Sequence, residues 1–173
     1  MYRVGILTIS DKGSRGQRAD KSSGAIRESL SPSESTVVDY AIVPDEREVI
    51  SATLQEWADN HNLDVILTTG GTGLAPRDVT PEATLAVVEK AVPGLPEAMR
   101  LQNLAKTPLA MLSRAAAGVR GRCLIVNLPG SPKAVRENME IILPVLAHAV
   151  GIIKEEITEH AAGGHGEGQG HAH

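Results

Sequence analysis

The sequence predicts an α/β fold, a single three-layer α/β/α domain around a mostly parallel sheet, on three observations. Four short apolar runs rich in branched residues recur along the chain, helical patterns separate them, and polar or glycine-rich turns follow them directly. Such runs suit strands buried on both faces of a parallel sheet, and strand-helix alternation requires crossovers that place helices on both sides. The chain has 173 residues, 42% hydrophobic and 22% charged, enough for a sizeable core and too apolar for disorder throughout. With no Phe, one Trp and two Tyr, that core must come from Val, Ile, Leu and Ala.

The first run, YRVGILTI at residues 2–9, stops at Ser10 and Asp11 and enters the polar loop KGSRGQRADKSSG. This loop is longer than a plain strand-to-helix connection needs, which suits ligand binding or a surface excursion with Ser23 capping a helix over 23–30. The second run, TVVDYAIV at 36–43, ends in Pro44 and Asp45. Val49, Ile50, Thr53, Leu54, Trp57 and Ala58 then repeat at helical spacing, with Glu48 and Glu56 turned away from that stripe. The third run, LDVILTT at 63–69, leads into Gly70, Gly71, Thr72 and Gly73. Helices are predicted over 80–90, 95–105 and 131–149, the last carrying Pro144 as a kink. The segment 107–121 has no clean period and reads as a hairpin or an irregular excursion before the fourth run, RCLIVNL at 122–128. No domain boundary falls within residues 1–160. Residues 161–173 carry five Gly and three His and read as a disordered tail. The tail imidazoles suit weak Ni2+ or Zn2+ binding, or the tail simply solubilises.

Several function classes drop out. Seventeen Lys and Arg against 21 Asp and Glu leave a net charge of −4, with no cationic field for nucleic acid or an anionic membrane and few rings for base stacking. The single cysteine, Cys123, excludes an intrachain disulfide and a cysteine metal cluster, and its apolar run predicts a buried, inert thiol. With no export leader and no apolar run near ~18 residues, the expectation is a soluble protein of the reducing cytoplasm. His61 and His148 read as surface or helix-packed residues, so no Ser-His-Asp arrangement is indicated.

In an open parallel sheet the ligand crevice lies beyond the carboxyl ends of the strands, so residues there carry the functional reading. Asp45, with Glu48 three residues on, reads as a helix cap or as a carboxylate holding a divalent cation against phosphate. In the loop after Thr69, glycines let backbone N–H groups approach an anion; it lacks the Walker lysine and does not match GxGxxG. Beyond it, Thr80 reads as N-cap with Pro81 at the first helical position. Arg77 and Asp78 are either a surface pair or an anion contact with a second carboxylate. After the fourth run, Pro129, Gly130, Ser131 and Pro132 give a helix start, Ser131 as N-cap, whose free N–H groups also suit an anion.

Together LTTGGTG (67–73), PRDVTPEAT (76–84), PEAMR (96–100), MLSR (111–114) and NLPGSPKAV (127–135) resemble the molybdopterin adenylyltransferases. This MogA/MoaB-like family includes the gephyrin G domain, and the similarity spans about residues 4–150. The resemblance implies the molybdopterin-binding-protein-like fold and Mg2+-dependent transfer of AMP from ATP to the molybdopterin phosphate, with pyrophosphate released. It further implies a homotrimer and a molybdate insertase that takes the product. Carried across by residue, Asp45 and Asp78 become the catalytic, Mg2+-holding aspartates. Ser10, Asp11, Thr69, Gly70, Gly71, Thr72, Gly73, Arg77, Pro129, Gly130 and Ser131 fall at nucleotide and phosphate positions, and Ser113 and Arg114 on the pterin side. The alternative is a non-catalytic molybdopterin carrier or scaffold of the same fold.

Overall fold

The computed structural model describes residues 1–156; the reading of a Gly/His tail falls outside them. In chain order the elements are β1 (Tyr2–Ile9), α1 (Asp11–Ser14), α2 (Lys21–Ser29), β2 (Ser35–Val43), α3 (Arg47–Asn60), β3 (Val65–Thr69) and α4 (Thr80–Leu85). There follow β4 (Lys90–Ala91), α5 (Gly94–Asn103), a 3₁₀ turn (Pro108–Leu112), β5 (Ala117–Arg120), β6 (Cys123–Leu128) and α6 (Pro132–Ile153). The sheet order is β2-β1-β3-β6-β5-β4. The first four strands in that order run parallel, while β5 and β4 pair antiparallel at one edge. The expected mostly parallel sheet is therefore found, and the unplaced segment 107–121 divides into the 3₁₀ turn and a β5–β6 hairpin.

Period-two alternation along β3 and β6 sends side chains to two separate cores. Val65, Leu67, Leu124, Val126 and Leu128 pack with Ile26, Met99, Met139, Ile142 and Leu146 from α2, α5 and α6. Ile66, Cys123 and Ile125 pack on the other side with Ile50, Leu54 and Trp57 of α3 and Ala83 of α4. Cys123 is wholly buried, and that burial pushes its thiol up to about 12, so no thiolate forms near neutral pH. Among the described residues no helix is long and apolar enough to cross a membrane.

Several local expectations are corrected. The run at 36–43 is not buried on both faces: β2 lies at the sheet edge, and Thr36, Val38 and Tyr40 are exposed. Asp20, not Ser23, caps α2, accepting from Ser23 N. Glu46, not Asp45, precedes α3, without a side-chain cap, because the Asp45 carboxylate has a tertiary partner. Thr80 is the first residue of α4 and Val79 its cap, the threonine hydroxyl donating instead to Gly70 O at 2.9 Å. The helix expected over 80–90 stops at Leu85. Val87 and Val88 N–H groups both converge on Thr84 O, and Lys90–Ala91 joins the sheet against β5. Ser131 and Pro132 do start α6 as the sequence predicts, with Ser131 Oγ accepting from Ala134 N at 3.2 Å.

Candidate active site

The loops that leave β1, β3 and β6 meet beyond the carboxyl ends of those strands and surround a cleft of about 830 Å3. The glycine loop is its floor. Gly70 and Gly71 have φ of 98° and 70°, a region that side-chain-bearing residues enter only with strain. There is also no room for a side chain, since a Cβ at Gly70 would lie 2.3 Å from Ile9 O. Neighbouring loops fasten this turn: Thr69 Oγ1 donates to Pro129 O at 2.6 Å, Gly70 N to Leu128 O at 3.2 Å, and Ser22 Oγ to Gly130 O. Gly130 and Ser131 line the cleft at the N-terminal end of α6, where the free N–H groups and the helix dipole favour an anion.

Asp45, from the end of β2, and Asp78, from the loop before α4, edge the same cleft. Asp45 Oδ2 accepts from Asp11 N at 2.8 Å, and Asp78 Oδ2 accepts from Ala75 N at 3.0 Å. Each carboxylate abuts a glycine: a Cβ at Gly71 would come 3.3 Å from Asp45 Oδ1, and one at Gly73 would come 2.9 Å from Asp78 Oδ2. Burial raises the Asp45 carboxyl above its ordinary value, and the nearby Asp11 and Asp78 charges add to the rise. Such a site favours a bound cation. Its donors are oxygens only, and among the described residues no cluster of three or more His, Cys, Asp or Glu exists to hold a metal. Two carboxylates with the remaining positions left to phosphate and water fit Mg2+.

The other predicted residues do not all line the cleft. Ser10, Thr69, Gly70, Gly71, Gly130 and Ser131 line the cleft, although Ser10 Oγ also caps α1 by accepting from Gly13 N at 2.9 Å. Asp11 and Arg77 pair with each other, Nη2 to Oδ1 at 2.9 Å, outside the cleft lining. Arg114 is fully engaged in holding the glycine loop. Its guanidinium reaches Gly73 O at 2.8 Å, Asp78 O at 2.7 Å and the Glu82 carboxylate, while its N–H donates to Thr72 O at 2.9 Å. Ser113 and Pro129 line a second cavity of about 350 Å3, with Arg100, Asn103 and Asn138, and Ser131 borders both spaces.

Sequence reasoning missed Arg18, Asp20, Lys21 and Ser22, which line the cleft from the first loop; the length of that loop was their only signal. Asp20 accepts from Thr8 Oγ1 at 2.7 Å and from the Tyr40 hydroxyl. Burial works to raise its carboxyl, but the bonds from Tyr40, Thr8 and Ser23 outweigh that and hold it below the ordinary carboxylate value.

Glycine-rich loops and two carboxylates thus meet at the carboxyl ends of a mostly parallel sheet, the place where open α/β domains bind ligands. The chain belongs to the family described as probable molybdopterin binding domain, which matches residues 5–148. It is 44% identical over 152 residues to the molybdopterin adenylyltransferase of Helicobacter pylori, covering 87% of this chain and 86% of that protein. It is 42% identical to Dictyostelium discoideum gephyrin, covering 88% of this chain and 23% of that much longer protein. The crystal structure of the molybdopterin biosynthesis enzyme MoaB from Thermus thermophilus matches with a TM-score of 0.85 at 58% identity, over 90% of this chain and 98% of that one. The family and fold expected from the linked motifs are both found.

Proposed function

We propose that this chain is a molybdopterin adenylyltransferase of molybdenum cofactor biosynthesis, using ATP and Mg2+. The observation that carries the reading is the pair Asp45 and Asp78 at the edge of a cleft lined also by Gly71, Gly130 and Ser131. An oxygen of the molybdopterin phosphate attacks the α-phosphorus of ATP, a new P–O bond forms, and the bond to the β-phosphate breaks to release pyrophosphate. Two anions must approach each other, so the protein's work is positioning and charge stabilisation. Gly71 of the glycine loop and Gly130 and Ser131 just ahead of α6 would hold phosphate oxygens through their N–H groups. Asp45 and Asp78 would hold the Mg2+, which when bound neutralises triphosphate charge.

The cavity that contains Ser113 suits the pterin, because it shares the 129–131 loop with the nucleotide cleft and so sets the two substrates side by side. Arg77 and Asp11 then support the nucleotide loops, and Arg114 acts on the pterin side by holding Gly73 and Asp78 in place. The product passes to a molybdate insertase. The exposed Leu101 of α5, Leu104 just after it, and Leu109, Met111 and Leu112 of the 3₁₀ turn offer a homotrimer an apolar face to bury. A cytoplasmic site accords with a lone buried thiol.

A carrier of the same fold would place two carboxylates beside an anionic ligand at a Coulombic cost. Pyrophosphate release from MgATP, with and without molybdopterin, decides between the two readings. The enzyme reading expects release that depends on molybdopterin and is lost in Asp45→Ala and Asp78→Ala; saturable molybdopterin binding without release establishes the carrier.

A further inference from the structure

Asp11 and Asp45 are bonded to each other twice. Asp11 N–H donates to Asp45 Oδ2 at 2.8 Å, and Asp45 N–H donates to Asp11 Oδ1 at 3.0 Å. Arg77, the residue before Asp78, closes over the same Asp11 carboxylate with two nitrogens, Nη2 on Oδ1 and Nε on Oδ2. Both Asp11 oxygens are thus occupied by protein donors. The Asp11 side chain faces the outer side of these loops, among Ser14, Arg15, Pro44, Glu46 and Arg77, while Asp45 and Asp78 line the cleft.

One side chain therefore ties together the two loops that carry the cleft carboxylates. It holds the Asp45 loop through the main-chain N–H and the Asp78 loop through the neighbouring guanidinium. Asp45 and Asp78 repel each other when ionised, and the loops that bear them come from different strand ends, so an untied pair would drift apart. The Arg77 charge offsets part of the repulsion that the Asp11 carboxylate itself exerts on Asp45.

We propose that Asp11 is a positioning residue for cation binding: its side chain fixes the Asp45 and Asp78 loops relative to one another, so that the pair meets a divalent cation already spaced. The inference rests on the reading of Asp45 and Asp78 as the cation-holding pair and adds the residue that sets their separation. Partners of metal-holding groups are worth about 10- to 100-fold in metal affinity, and that is the effect to be sought.

The test is Mn2+ titration of the full chain without nucleotide, followed by electron paramagnetic resonance of free Mn2+, with binding of an ATP analogue that cannot be cleaved between its α- and β-phosphates measured separately in the absence of metal. The parent binds Mn2+ and Asp45→Ala does not. Asp11→Ala weakens Mn2+ binding about tenfold or more, a larger loss than that in metal-free analogue affinity, while the chain still unfolds in one cooperative transition. Asp11→Asn falls between, since its amide oxygen still accepts from Asp45 N–H. Parent-like Mn2+ affinity in folded Asp11→Ala overturns the proposal, and so does an equal loss of metal and metal-free analogue binding, which marks general loosening. If Asp11→Ala does not fold, Arg77→Ala decides. It removes a side chain that is 60% exposed, and parent-like Mn2+ affinity in that variant is equally fatal. A parent that binds no Mn2+ overturns the metal reading itself, and the tie with it.

Discussion

Replacing Asn127 by alanine removes a wholly buried amide from the place where β6, α4 and the segment leading into β5 meet. Its Nδ2 donates to Thr68 Oγ1 at 3.0 Å and Thr84 Oγ1 at 2.8 Å, and its Oδ1 accepts from Ala116 N at 3.1 Å. A buried backbone N–H left without its acceptor costs about 2 kcal/mol, and each hydroxyl, free to rotate toward another acceptor, loses about 1 kcal/mol. The expected loss is about 4 kcal/mol, at the severe end for a point substitution. In a chain of this size that lowers the melting midpoint by about 12 °C. Urea unfolding followed by fluorescence is the assay, because Trp57 is the single tryptophan and packs from α3 onto β1 beside Gly5. The midpoint should fall with an unchanged slope. Asn127 is followed directly by Leu128 and Pro129, whose carbonyls hold Gly70 and Thr69, so affinity for an ATP analogue should fall with it. A loss below about 1 kcal/mol would refute the reasoning and mean that the amide does not hold this strand end.

Two further outcomes follow from contacts around the cleft. Arg114→Ala frees both Gly73 O and Asp78 O, so binding of an ATP analogue, read by calorimetry, should weaken about tenfold through misplacement of the loop. Its melting midpoint should drop less than that of Asn127→Ala, since a half-exposed ion pair contributes only about 0–1 kcal/mol; unchanged affinity counts against a loop-holding role. Tyr40→Phe deletes one of the bonds that hold the Asp20 carboxyl below its ordinary value. A carboxyl depressed in the folded state contributes stability present above its unfolded value and lost as pH falls through its folded value. The parent's advantage over Tyr40→Phe in urea midpoint should therefore be full at neutral pH and be lost as the pH falls through and below the ordinary carboxylate range; a gap independent of pH contradicts the assignment.

What could be read from the chain was local. The runs that became β1, β3 and β6 carry their burial in composition, and the Ser131-Pro132 start of α6 and the glycines after Thr69 are properties of a few adjacent residues. Asp45 shows where such reading stops. Its neighbours suggest a cap for α3, yet its carboxylate goes to Asp11 N–H, 34 residues away. Arg77 and Arg114 stand beside plausible local partners, but their guanidinium groups close on Asp11 and on Gly73, Asp78 and Glu82. The cluster of Thr8, Asp20 and Tyr40 left no trace beyond a long loop. Strand and helix formation depends on neighbours within a turn or two, and the order of residues displays those. The partner of a charged side chain depends on which loops adjoin, and that follows from the order β2-β1-β3-β6. This order sets the ends of β1, β3 and β6 side by side, with β2 delivering Asp45 from the edge. Because pairing in space brings remote loops within hydrogen-bonding reach, two candidate carboxylates became a cleft only when the sheet assembled.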